Sequence, residues 1–96
     1  MQRFSVGLVL LYLSATPPAL AETEQYDDCI LDYLQNAKLD LTTDMIKQAC
    51  NEIHQLAGVA AMNRRPYNQC LLQHLGGVEN VRAALDIKAA CGRRHL

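Results

Sequence analysis

Three histidines each follow a cysteine by four residues: Cys50 and His54, Cys70 and His74, Cys91 and His95. On a helix such a pair shares one face, and thiolate with imidazole is a ligand set for Zn or Cu. Three features weigh against that chemistry. A cysteine held in a disulfide offers no thiolate. Gly92 stands directly after Cys91, where a helix ends most readily, and an ending there would strand His95. Tyr33 holds in the first half of the chain the place that His74 holds in the second, so the position accepts an aromatic ring at the edge of a core. One metal geometry survives. A fold-back near Arg64 would set His54 and His74 level on neighbouring helices, as two ligands for Cu or Zn or as a pH switch. A closed structural zinc site takes four ligands. The histidines therefore read first as half-buried rings, and no cofactor is expected.

Other reactive patterns are missing from the sequence. It contains no Cys-x-x-Cys, no Gly-x-Ser-x-Gly elbow, no phosphate loop and no His-Glu-x-x-His. Asp27, Asp28 and Asp32 read as solvated residues favoured by the positive end of a helix. Arg64-Arg65 before Pro66 reads as an exposed linker, open to trypsin-like cleavage. No catalytic residue is assigned, and the chain is not expected to be an enzyme.

The elements that carry these residues come in two copies. Tyr26-Asp27-Asp28-Cys29-Ile30-Leu31 is echoed by Tyr67-Asn68-Gln69-Cys70-Leu71-Leu72, and Ile46-Lys47-Gln48-Ala49-Cys50 by Ile87-Lys88-Ala89-Ala90-Cys91. Every echo falls at an offset of 41 residues. Tyr26, Cys29, Ile30, Tyr33 and Leu34 make one apolar helical face, and Tyr67, Cys70, Leu71, His74 and Leu75 repeat it. Ile46, Ala49, Cys50, Ile53 and Leu56 or Ala57 are expected to face inward on a second helix, and Val81, Ala84, Ile87 and Cys91 on a fourth. Thr42, Thr43 or Asp44 is expected to cap the second helix, Pro66 to start the third, and Asn80 to cap the fourth. Gln35-Asn36 and Gly76-Gly77 end the first and third, and Gly92 the fourth. Residues 58–65 link the copies, with Gly58 either ending the second helix or lying within it.

Each copy thus reads as an αα-hairpin. Bends near Leu39-Asp40 and Asn80-Val81 make Cys29 level with Cys50 and Cys70 level with Cys91. Pairing within each copy needs little backbone movement. Of the three pairings that four cysteines allow, Cys29–Cys50 with Cys70–Cys91 is therefore expected. Each closure contributes about 3 kcal/mol in the chain-entropy model.

Residues 1–21 read as a cleaved secretory signal: Arg3 in a basic start, an apolar run over 4–13, and a small-x-small site at Ala19-Leu20-Ala21. That run is too short to span a bilayer, so no transmembrane segment is expected after cleavage. Residues 22–96 would form one small helical domain, of a size that usually needs staples. Residues 22–52 hold eight acids against two bases, net −6, and residues 53–96 hold six bases against two acids, net +4. These opposite signs draw the two copies together and permit self-association. Overall charge is −1 and there is no basic stripe with aromatics, which argues against nucleic-acid binding.

The second copy resembles an uncharacterised family of small exported four-cysteine proteins of Gram-negative bacteria. The resemblance is carried by Tyr67, Cys70-Leu71-Leu72, Gly77-Val78, Ala83-Ala84 and Ile87-Lys88-Ala89-Ala90-Cys91. The first copy keeps the ends but has Asn36-Ala37 and Thr42-Thr43 in the middle. Together they cover residues 26–50 and 67–91. The resemblance implies export, helices and disulfides, and it brings no activity or ligand.

The expectation is an all-α fold: two tandem disulfide-stapled αα-hairpins, 26–50 and 67–91, forming a small four-helix domain. Its expected role is a periplasmic or secreted binding protein with an unknown protein partner. The alternatives are a periplasmic metal-handling protein using His54 and His74, with His95, and a secreted inhibitor or toxin-like protein.

Overall fold

A computed structural model describes residues 18–96. Residues 1–17, which hold most of the expected signal, lie outside the described residues. Four helices follow in order: α1 (Pro18–Tyr33), α2 (Asp40–His54), α3 (Val59–His74) and α4 (Val81–His95). One 3-10 turn, Leu34–Asn36, closes α1. Among the described residues there are no strands, as the all-α expectation required. Short turns make neighbouring helices antiparallel, so α1 and α3 run one way and α2 and α4 the other.

The helix starts depart from the sequence expectation in several places, each for a local reason. α1 begins at Pro18, upstream of the expected cut after Ala21, so Asp27 and Asp28 lie well past its first turn. Proline at a first helical position forfeits only an N–H that has no partner there, and the residues after it favour helix. α2 begins at Asp40, earlier than its expected caps. Thr42 instead sits in its first turn, fully buried, and its hydroxyl donates to the Leu39 carbonyl at 3.0 Å while accepting from the Leu39 N–H at 3.3 Å. α4 starts as expected: Asn80 Oδ1 accepts from the Ala83 N–H at 2.8 Å.

α3 carries the largest correction. From Val59 on, the expected linker is helix, and Pro66 lies inside α3, not at its start. Gly58 neither ends α2 nor lies within it. At φ +107° it precedes α3, a backbone conformation closed to most residues with a side chain. Pro66 removes the N–H that would meet the Met62 carbonyl. Side chains anchor the helix on either side of that gap. Arg64 Nε donates to Glu52 Oε1 at 2.7 Å, Arg65 reaches the Ile53 carbonyl at 3.5 Å, and Tyr67 is buried. The Arg64 guanidinium also lies 5.0 Å from the Tyr67 ring centre.

The last correction is at Gly92. α4 passes through it and ends at His95. A Cβ at Gly92 would meet only Tyr67 and Leu96, both at 4.0 Å, so the position has room for a side chain and the helix does not use the glycine as a stop. Gly77, in contrast, lies in the turn that follows α3, at φ +79°, where glycine is favoured.

The core lies where the four inner faces meet: Cys29, Ile46, Ala49, Cys50, Tyr67, Leu71, Leu72, Leu75, Ala84 and Cys91. Its most extensive helix contact joins α2 to α3, across the two copies. α1 packs on α2 and α4 on α3, and α2 meets α4 lightly. The two bends also touch: the Gly77 N–H donates to the Asn36 carbonyl at 2.8 Å, and Lys38 pairs with Glu79 at 3.7 Å.

Candidate functional site

Cys29 bonds Cys50 and Cys70 bonds Cys91, each with Cα atoms 5.8 Å apart. The pairing within each copy is the one expected from level positions on a hairpin. All four cysteines are consumed and none is free. Each Cys–His pair therefore loses its sulfur ligand.

The histidines also fall apart from one another. The fold-back near Arg64 that would have levelled His54 with His74 does not occur, because Arg64 lies inside α3. His54 lines a concavity of the first hairpin, and His74 one of the second. His95 shares the second with His74, but the two stand on opposite sides of the Cys70–Cys91 bridge. His74 is four residues past Cys70 toward the bend, and His95 is four past Cys91 away from it. Among the described residues, no three His, Cys, Asp or Glu side chains cluster closely enough to hold a metal ion.

The second hairpin does present an open groove of about 520 Å³ between α3 and α4. Pro66, Gln69 and Gln73 line one wall at i, i+3 and i+7. Ile87, Ala90 and Arg94 line the other at the same spacing. The disulfide crosses its floor. His74 stands at one end, and Arg94 and His95 at the other, all exposed. The result is a partly apolar trough with two imidazoles and the Arg94 guanidinium at its ends.

The first hairpin carries the same trough. Gln25, Asp28, Cys29, Asp32, Tyr33, Ile53 and His54 line it. Shifted by 41 residues, these become Pro66, Gln69, Cys70, Gln73, His74, Arg94 and His95. One difference matters: in the first trough, Gln69 and Leu72 of α3 also form the lining.

A model of the family described as Four-cysteine protein VF_A0006-like matches residues 7–95. The chain belongs to that family. No curated protein and no solved structure matches it. The match spans both hairpins of this VF_A0006-like protein, and with it the four-cysteine resemblance seen in the sequence is borne out. Its two disulfides are of the kind that persists in an oxidising compartment. No helix among its described residues is long and apolar enough to cross a membrane.

Two features of this VF_A0006-like chain were not anticipated. The Arg64–Glu52 pair ties α3 to α2, with the Glu52 side chain only 12% exposed. In the sequence Arg64 falls in an expected linker, because Pro66 suits a helix start. Asn68 is buried, and its Nδ2 has no hydrogen-bond partner. It lines a cavity of about 80 Å³ with Glu52, Arg64 and Lys88. Its equivalent in the first copy, Asp27, is exposed. A polar residue that follows Arg64-Arg65-Pro66 gave no sign of burial, because the burial comes from the contact between hairpins.

Proposed function

We propose that this is an exported, disulfide-stabilised helical binding protein that acts by holding a partner in its α3–α4 trough, not by catalysis. The observation that supports this reading is the trough itself. Its volume of about 520 Å³ falls within the range of ligand sites, and its Ile87 and Ala90 wall is not covered by any described part of the chain. The Cys70–Cys91 bridge ties its two walls together without any contribution from a partner, so little ordering cost accompanies binding. The signal-like residues 1–21 and the disulfides support delivery to the periplasm or beyond. Polar and charged groups at the rim, Gln69, Gln73, His74, Arg94 and His95, supply hydrogen bonds and positive charge.

The test is photo-crosslinking in cells. A benzophenone amino acid replaces Gln73 in the trough, and separately Lys47 on the exposed side of α2. A discrete adduct from position 73 and none from position 47 is the expected result. Equal, diffuse labelling from both positions would remove the trough as a binding site.

A further inference from the structure

We propose that the occupant of the α3–α4 trough is helix α1 of a second copy of this chain, so that the protein associates head to tail. This rests on the reading of the trough as a binding site and names its partner.

The argument begins with how α3 sits on the first hairpin. The face it buries there is Asn68, Leu71, Leu72 and Leu75, exposed by 1%, 5%, 6% and 0%. Their spacing is i, i+3, i+4 and i+7. At 41 residues earlier, α1 and its closing turn carry Asp27, Ile30, Leu31 and Leu34, the same sequence of polar and apolar positions. That face is not buried. Asp27 is exposed, Ile30 and Leu34 are half-buried, and Leu31 is 70% exposed. So α1 displays the face that α3 uses for docking. The second hairpin displays, on the α4 side of its trough, the counterpart of the α2 side on which α3 packs in the first, where Gln69 and Leu72 edge the trough. Each molecule carries both halves of a contact that it already makes once within itself.

Charge favours the same match. Beside the exposed Leu31, at i, i+3 and i+7, α1 carries Glu24 and Asp27, both exposed. The trough and the adjoining face of α4 carry Arg93 and Arg94, also exposed. Two positions weaken it. Leu41 and Met45 of α2 are half-buried, and their equivalents on α4 are Arg82 and Asp86. The contact between copies therefore has less apolar area than the one within a chain, and more of its strength is electrostatic. It is weaker than the internal contact and sensitive to salt. Because the two surfaces differ, the association is heterologous and adds copies beyond two.

The experiment uses the exported protein in sedimentation equilibrium. The wild type should rise in mean mass with concentration, past that of a dimer, and fall back when NaCl goes from tens to hundreds of millimolar. Leu31→Glu, on an exposed residue, and Ala90→Glu, in the trough, should each weaken association at least tenfold while leaving the helical circular dichroism unchanged. An equimolar mixture of the two retains one intact α1 face and one intact trough. It should give a 1:1 dimer and nothing larger. Wild-type mass that stays monomeric to millimolar concentration would overturn the proposal, as would association that neither substitution affects. A monomeric wild type whose position 73 still crosslinks to another protein would overturn self-association and leave the trough reading intact.

Discussion

Replacing Cys70 and Cys91 together by alanine should separate α4 from the rest of the molecule. The bridge spans 21 residues, and closing a loop of that length in the unfolded chain contributes about 3 kcal/mol. A chain of this size has a total stability of about 4–12 kcal/mol. The loss is thus between a quarter and most of the whole. Its location matters as much as its size. Apart from Cys91, α4 buries only Ala84 fully, with Ile87, Ala83 and Ala90 half-buried. It packs on α3 and only lightly on α2. α1, by contrast, belongs to a hairpin that α3 also clamps. Urea unfolding followed by circular dichroism, at about 1 kcal/mol per molar urea for a small domain, should move its midpoint down by about 3 M. Amide hydrogen exchange should show protection lost first over 81–95. A midpoint within about 0.5 M of wild type, or exchange lost uniformly across all four helices, would refute the claim that the bridge is what retains α4.

Smaller perturbations test other joints. Asn80→Ala removes the side-chain acceptor from the start of α4 and should cost about 1 kcal/mol in the same urea assay. Gly77→Ala places a Cβ on a residue at φ +79°, and should lower stability by about 1–2 kcal/mol; Gly76→Ala, at ordinary φ with only Asn36 Cβ at 3.4 Å, should cost less. Asn68→Leu exchanges a buried amide with an unpartnered Nδ2 for an apolar side chain of similar size, and should be neutral or stabilising by about 1 kcal/mol. Glu52→Gln leaves Arg64 facing a neutral group and should destabilise the α2–α3 contact, seen as faster exchange over 59–66.

Much of this architecture was legible because the cysteines and the offset between copies are read directly from residue identity. Hairpin pairing followed from two bends and four inward positions. Asn80 and Gly77 were legible for the same reason: each acts through its own backbone neighbours. The misreading of α3 has its cause in tertiary contact. Pro66 suits a helix start, yet α3 runs past it because Arg64 and Arg65 reach back to α2 and Tyr67 is buried beyond it. Gly92 suits a helix end, yet α4 continues through it to His95. The trough was not foreseen, since its walls come from the unburied flanks of two helices, and the periodicity marks only their buried sides. The histidine pair failed as a ligand set because its geometry depended on a turn that lies elsewhere.

The backbone bond between Gly77 and Asn36 has a practical corollary. Hairpin tips are ordinarily where a chain accepts added residues most freely. Here the two tips at that pole are stitched to each other, so lengthening either would pull on both helix pairs at once. The opposite pole, residues 55–58, is exposed and makes only local backbone bonds. An affinity tag, fluorophore or permuted terminus placed at 56–57 should leave the scaffold intact, whereas the same graft at 37–38 or 77–78 should not.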